Sequence, residues 1–123
     1  MKAFNQLLSI AKRKTHFDNQ HSRIDEYRRY LTAIKEEVDE VVEELPKNRQ
    51  CYLEDELGDI LWDYLNVLTS LEKEIGLDTE TVLKRACQKY EQRMSGLEEG
   101  KKWADIKEKQ KKALATEHAL TQK

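Results

Sequence analysis

Three features of the sequence predict an all-α fold built as a bundle of long antiparallel helices. The chain has 123 residues, the length of one ordinary domain. It contains only one proline and four glycines, so few residues interrupt long helices. Apolar residues recur at helical spacing in four segments, and no segment alternates as a strand would. Together these features favour helix-on-helix packing.

The first two helices are predicted from their apolar faces and from their end signals. The first covers about residues 2–14 and is followed by a polar loop at residues 15–21. Ser22 is predicted to cap the second helix, with Asp25 as its capping-box partner. Pro46 stops this second helix after about six turns, because proline cannot donate the helical hydrogen bond.

Two further helices and a lysine-rich tail complete the predicted architecture. The third helix begins near Cys51 and ends at Gly76, a plausible C-terminal cap, and a fourth helix follows it. We divide the chain into a helical domain, residues 1–100, and a C-terminal helix or arm, residues 101–123. Because 37% of the residues are charged, the core is thin for helices of this length. We therefore expect oligomerisation to complete the burial.

Composition and charge exclude several functional classes. Eleven acids lie between residues 36 and 63 against two bases, so the densest charge would repel a nucleic acid. No run of 18 apolar residues could span a membrane. The N-terminus lacks the apolar core of a signal peptide, which predicts a cytoplasmic protein. Cys51 and Cys87 are then expected to be buried free thiols.

The acids of the second and third helices form a local repeat with an offset of 19 residues. They flank the apolar stripe at the same relative angles: Glu37, Glu40 and Glu44 on the second helix, and Glu56, Asp59 and Asp63 on the third. The short connection between the helices makes them antiparallel neighbours, with the turn centred near Asn48. The repeated flanks therefore face each other.

Four of these acids stand at matching heights. Glu40 lies eight residues before Asn48, and Glu56 lies eight residues after it. Glu37 lies eleven residues before the turn centre, and Asp59 lies eleven after it. Four carboxylates beside an apolar seam cannot all stay ionised unless they bind a cation or take up protons. Because Mg²⁺ takes carboxylate oxygens together with substrate phosphates, the spacing predicts a magnesium site.

Other interpretations of the acidic residues remain open at this point. A solvated acidic face that forms surface salt bridges is the common fate of such charge runs. A di-iron carboxylate bundle would require Glu-x-x-His on its helices, and neither His16, His21 nor His118 has that spacing.

Basic and aromatic side chains supply further candidate binding groups. Lys89 and Arg93 are four residues apart on the fourth helix and could neutralise the outer phosphates of a triphosphate, or pair with surface acids. Phe17 and Trp62 are candidate surfaces for stacking a nucleobase. For Trp62 a helix or subunit contact is the common alternative.

The paired acidic motifs resemble those of a known family. Glu36-Glu37-Val38-Asp39-Glu40 and the later Glu56-Leu57-Gly58-Asp59 are similar to the two motifs of the MazG-like all-α nucleoside triphosphate pyrophosphohydrolases. The segment from Phe17 to Ser22 resembles the loop before the first motif helix, with Phe where many members have Trp. Lys89-x-x-x-Arg93 and Trp103-x-x-x-Lys107 resemble later segments, so the similarity covers about residues 15–110.

This resemblance implies an activity, a cofactor and an assembly. The implied reaction hydrolyses a (d)NTP to the monophosphate and pyrophosphate with Mg²⁺, for which Mn²⁺ can substitute, in dNTP pool control or house-cleaning. The implied metal ligands are Glu37, Glu40, Glu56 and Asp59. Glu40, with help from Glu36, would orient or deprotonate the attacking water, and Lys89 and Arg93 would hold the β- and γ-phosphates. A MazG-type four-helix bundle that forms a dimer or a dimer of dimers with composite sites is also implied.

Two alternatives to this function follow from the same residues. One is a non-catalytic helical interaction module whose acidic face docks a basic partner. The other is a hydrolase of a different phosphorylated nucleotide, such as a dinucleotide. Hydrolysis of a nucleotide by the protein would exclude the interaction module. A panel of substrates would distinguish a hydrolase of another nucleotide from a (d)NTP pyrophosphohydrolase.

Overall fold

The computed structural model describes residues 1–122 and confirms the all-α class. Within that range there are five α-helices, one 3₁₀ turn (Leu45–Lys47) and no strand. The helices are α1 (Lys2–Gln20), α2 (Glu26–Glu44), α3 (Gln50–Ile75), α4 (Thr79–Glu98) and α5 (Trp103–Thr121). Across these described residues, no helix combines the length and the apolarity that a membrane span requires.

The chain divides into two compact units. The first, Met1–Thr79, holds α1, α2 and α3, with α3 packed against both of the others. Its buried apolar residues are Ala11, Tyr30, Leu65, Val67 and Leu68. The second unit, Glu80–Lys123, contains most of α4 and all of α5. The predicted domain division at residue 100 stays a prediction.

The hairpin between α2 and α3 forms where the sequence predicts it. The α2 helix ends at Glu44, Pro46 follows in the 3₁₀ turn, and Asn48 adopts a left-handed conformation at φ 55°. Arg49 closes the turn by donating from Nε and Nη2 to the two carboxylate oxygens of Glu44, at 2.9 and 2.6 Å. This bidentate pair stabilises the turn between α2 and α3.

The predicted start of the second helix is wrong. The α1 helix continues to Gln20, so Phe17 lies on a helix and not in a loop. Asp18 stabilises this extension, because its carboxylate accepts hydrogen bonds from Lys14 at 2.7 Å and from Arg23 at 3.2 Å. Ser22 therefore falls in the turn, at φ 56°, and α2 begins four residues later with Asp25 at its N-cap position.

A second difference concerns the two cysteines. Cys51 and Cys87 are free, as expected, but both are exposed rather than buried. On α4, Tyr90 and Met94 each keep nearly half of their surface accessible, whereas Val82 and Leu83 are half-buried.

The two helices of the second unit form a hairpin. Gly100 adopts φ 85° in the connection, a left-handed conformation that glycine accepts without strain. Gly96 lets α5 approach α4, because a Cβ at this position would lie only 2.2 Å from Cδ1 of Ile106. Further along the hairpin, Arg85 forms an ion pair with Glu117.

Candidate active site

Three acids from two helices meet in the first unit. Glu37 on α2 and Glu56 and Asp59 on α3 each offer a carboxylate oxygen, and these oxygens lie within 4.8 Å of one another. All three residues are half-buried. We call them the carboxylate trio. The α2–α3 hairpin brings them together, because its turn sets Glu37 and Asp59 at the same height and Glu56 one helical turn away.

Without a cation, the carboxylates of the trio repel one another, and their pKa values are raised. Burial first, and then the contacts with Glu40 and Glu56, raise the pKa of Glu37 to about 8. The interaction with Glu40 is the main cause that raises the pKa of Glu56, followed by burial. The pKa of Asp59 is raised by burial first and then by the charges of Asp55 and Glu40. Each shift has the sign expected for like charges gathered in a partly desolvated place.

The oxygen atoms of the trio fit a hard divalent cation. Glu37 Oε2 and Glu56 Oε2 are buried and have no hydrogen-bond partner among the described residues. Two oxygens on opposite sides of one Mg²⁺ ion lie about 4.2 Å apart, since each metal–oxygen bond is about 2.1 Å. The oxygens of the trio, which lie within 4.8 Å of one another, therefore need only small side-chain rotations to reach this distance. A cation would also satisfy the two unpartnered oxygens.

Glu40 lies beside the trio rather than within it. It is exposed, yet it is close enough to raise the pKa of Glu37, Glu56 and Asp59. Glu36 is exposed on the same helix. The metal-binding role of Glu40 and the catalytic roles of Glu40 and Glu36 stay predictions.

The next acid along each helix has a different environment. Glu44 is bound by Arg49, and this contact lowers its pKa. Asp63 is 6% exposed, and its Oδ2 is buried without a hydrogen-bond partner in the part of the chain that the structure describes. Burial raises the pKa of Asp63, the nearby charge of Asp59 adds to this effect, and Arg29 opposes it. The repeat placed Glu44 and Asp63 at equivalent angles, but it carried no signal of these opposite surroundings.

The two aromatic candidates line one groove. Phe17 on α1 and Trp62 on α3 border an open groove of about 710 Å³, together with the polar side chains of Lys12, His16 and Gln20. The ring of His21 stacks on Phe17, with 4.1 Å between the ring centroids. The groove volume lies in the range of small-molecule sites. The predicted role of Phe17 and Trp62 in base binding is not tested by this geometry.

The two basic candidates lie one helical turn apart on α4, in the second unit. Lys89 is exposed, whereas Arg93 is buried with 6% of its surface accessible. The Arg93 guanidinium lies 5.2 Å from the ring centre of Tyr90 and 5.1 Å from that of Trp103. Its Nε donates a hydrogen bond of 2.8 Å to Oε1 of Gln110. The predicted role of Lys89 and Arg93 in phosphate binding stays a prediction.

Comparison with known proteins identifies one matching family. The family model described as the MazG nucleotide pyrophosphohydrolase domain matches residues 25–97, which include the trio, Glu36, Glu40 and the Lys89–Arg93 pair. No curated protein and no solved structure matches the chain.

Proposed function

The chain belongs to the MazG nucleotide pyrophosphohydrolase family, and on this premise we propose that it hydrolyses a (d)NTP to the (d)NMP and pyrophosphate in the presence of Mg²⁺. The observation that carries the proposal is the carboxylate trio, whose oxygens lie within 4.8 Å of one another. Control of the dNTP pool or removal of damaged nucleotides is the proposed role, and a cytoplasmic location stays a prediction.

The proposed metal ligands are the trio and Glu40. Glu37 and Glu56 contribute buried oxygens that lack a partner among the described side chains, and Glu40 supplies an exposed carboxylate that can move towards the ion. When bound, Mg²⁺ supplies positive charge that stabilises the phosphate oxygens and lowers the pKa of water; Mn²⁺ could take its place.

Glu40 is the proposed general base, with assistance from Glu36. Because Glu40 is exposed, its carboxylate can reach a water molecule that attacks the α-phosphorus. The hydrolysis breaks the bond between this phosphorus and the bridging oxygen to the β-phosphate, and the water proton passes to a Glu40 oxygen. Lys89 and Arg93 are proposed to bind the β- and γ-phosphates, where negative charge increases as pyrophosphate leaves.

The groove between Phe17 and Trp62 is the proposed base-binding site. Replacing Trp62 with Ala should raise KM for nucleoside triphosphates about tenfold, because stacking on one aromatic ring contributes about 1–3 kcal/mol per base. Steady-state kinetics with each nucleotide would measure this change. Inhibition by inorganic tripolyphosphate, which has no base, should be the same in the variant and the parent chain. An unchanged KM would contradict the base-binding role.

A homodimer or a dimer of dimers is the proposed assembly. Several apolar residues on the outer sides of α2 and α3 keep 40–62% of their surface accessible, among them Leu31, Val38, Val42, Leu57 and Tyr64. Large apolar side chains that stay exposed on two helices packed against each other support a protein–protein interface.

Pyrophosphate release from the eight common (d)NTPs tests the proposal. We expect release from at least one of them with Mg²⁺, and none when EDTA removes the cation. A parallel assay with dinucleotides would identify a different nucleotide substrate. Failure of the whole (d)NTP panel would overturn the proposed reaction.

A further inference from the structure

The side chain of Gln110 on α5 forms three hydrogen bonds with the part of α4 that carries Lys89 and Arg93. Its Oε1 accepts the 2.8 Å hydrogen bond from Arg93 Nε. Its Nε2 donates to the backbone oxygen of Lys89 and to Oε1 of Gln92, both at 2.9 Å. A primary amide has two N–H protons, so both are used. A flipped amide would lose the hydrogen bonds to Arg93 Nε and to the Lys89 backbone oxygen, and the orientation is therefore determined.

Among the described residues, the hydrogen bonds of Arg93 use only one nitrogen of its guanidinium. Its Nε is bound by Gln110, and the rings of Tyr90 and Trp103 flank the group at 5.2 and 5.1 Å. Within the described residues, no hydrogen bond uses the two Nη nitrogens. These two nitrogens form the fork that binds two oxygens of a phosphate at once.

We propose that Gln110 is a positioning residue that holds Arg93 so that its two Nη nitrogens bind the pyrophosphate part of the substrate. This inference rests on the proposed function, because it assigns a role to Arg93 in the same reaction. Gln110 touches Arg93 and not the substrate. Its amide is neutral, so it orients the guanidinium without neutralising the positive charge that a phosphate requires.

Gln110 also joins α5 to the backbone of α4 at Lys89. By holding the backbone oxygen of Lys89 and Nε of Arg93 with one amide, it fixes both residues relative to α5. A carboxylate at this position would pair with Arg93 and would face two hydrogen-bond acceptors, the Lys89 oxygen and the Gln92 side chain. Gln110→Glu should therefore weaken phosphate binding more than Gln110→Met, which keeps the length of the side chain and removes its polar atoms.

Binding of inorganic pyrophosphate in the presence of Mg²⁺ provides the test. Gln110→Met should weaken pyrophosphate binding about tenfold, as expected when a hydrogen bond to a charged group is lost. Calorimetry or competitive inhibition would measure the dissociation constant. Inhibition by the nucleoside monophosphate product should not change, because that product lacks the two outer phosphates. Gln88→Met is the matched control, since Gln88 is exposed on α4.

A double-mutant cycle distinguishes positioning from a general loss of stability. In the Arg93→Ala background, Gln110→Met should change pyrophosphate affinity by less than about twofold, because the residue that it positions is absent. Equal tenfold losses in both backgrounds, or unchanged binding in the single variant, would overturn the inference. If the parent chain binds pyrophosphate as expected but hydrolyses no (d)NTP, the proposed reaction fails while the role of Gln110 stands.

Discussion

Replacing Glu40 with Gln should reduce pyrophosphate release at least about 100-fold, while the helical content stays unchanged. The substitution preserves shape but removes the charge and the proton acceptor, and loss of a general base typically costs about 10²–10⁴ in rate. Glu40 is exposed, so the substitution opens no cavity in the core. Steady-state pyrophosphate release with Mg²⁺ and far-ultraviolet circular dichroism would measure the two quantities.

The matched control for this variant lies on the same helix. Glu43 is also exposed on α2 but belongs neither to the trio nor to the residues that shift its pKa values. Glu43→Gln removes the same charge from the same acidic surface and should keep the parent rate. Parent turnover in Glu40→Gln would contradict the catalytic assignment. An interaction module with an acidic docking face, in contrast, predicts no turnover in the parent chain.

The meeting of the acids on α2 and α3 could be predicted because it depends on local chain geometry. Helical spacing places Glu37 and Glu40 on one flank of α2, and a short turn at Asn48 sets their distance to the acids of α3. Neither step requires knowledge of distant contacts. The carboxylate oxygens of the trio lie within 4.8 Å of one another, which agrees with the predicted placement of these residues. Their chemical roles are a separate prediction.

Two other features were missed, one because a local i,i+4 pair was overlooked and one because it joins two helices. Ser22 had the sequence of a helix cap, but the Asp18 ion pairs with Lys14 and Arg23 extend α1 and move the turn. The hydrogen bond between Arg93 and Gln110 joins residues 17 positions apart on different helices, so no helical periodicity predicts it. Hydrogen bonds between side chains of different helices could therefore not be predicted from the sequence.

The carboxylate trio should make stability depend on pH and on Mg²⁺ in linked ways. Without a divalent cation, the folded chain keeps a proton on Glu37 up to its raised pKa of about 8, whereas the unfolded chain releases it near the ordinary value of 4.5. Between these values the folded state binds more protons, so the free energy of unfolding falls as pH rises. The contribution of Glu37 is complete below pH 4.5 and is lost as pH passes about 8.

Replacing Glu37 with Gln should remove much of this pH dependence, because the amide stays neutral at every pH. At pH 9 in EDTA, Glu37→Gln should be more stable than the parent chain, as measured by urea unfolding. Addition of Mg²⁺ at about 100 times its Kd should stabilise the parent chain by about 2.7 kcal/mol and the variant by much less. Glu43→Gln, which changes an exposed acid on the same helix, should retain both the pH slope and the Mg²⁺ response of the parent chain. A parent chain with equal stability at pH 5 and pH 9 in EDTA, or with no response to Mg²⁺, would contradict a cation site at these carboxylates.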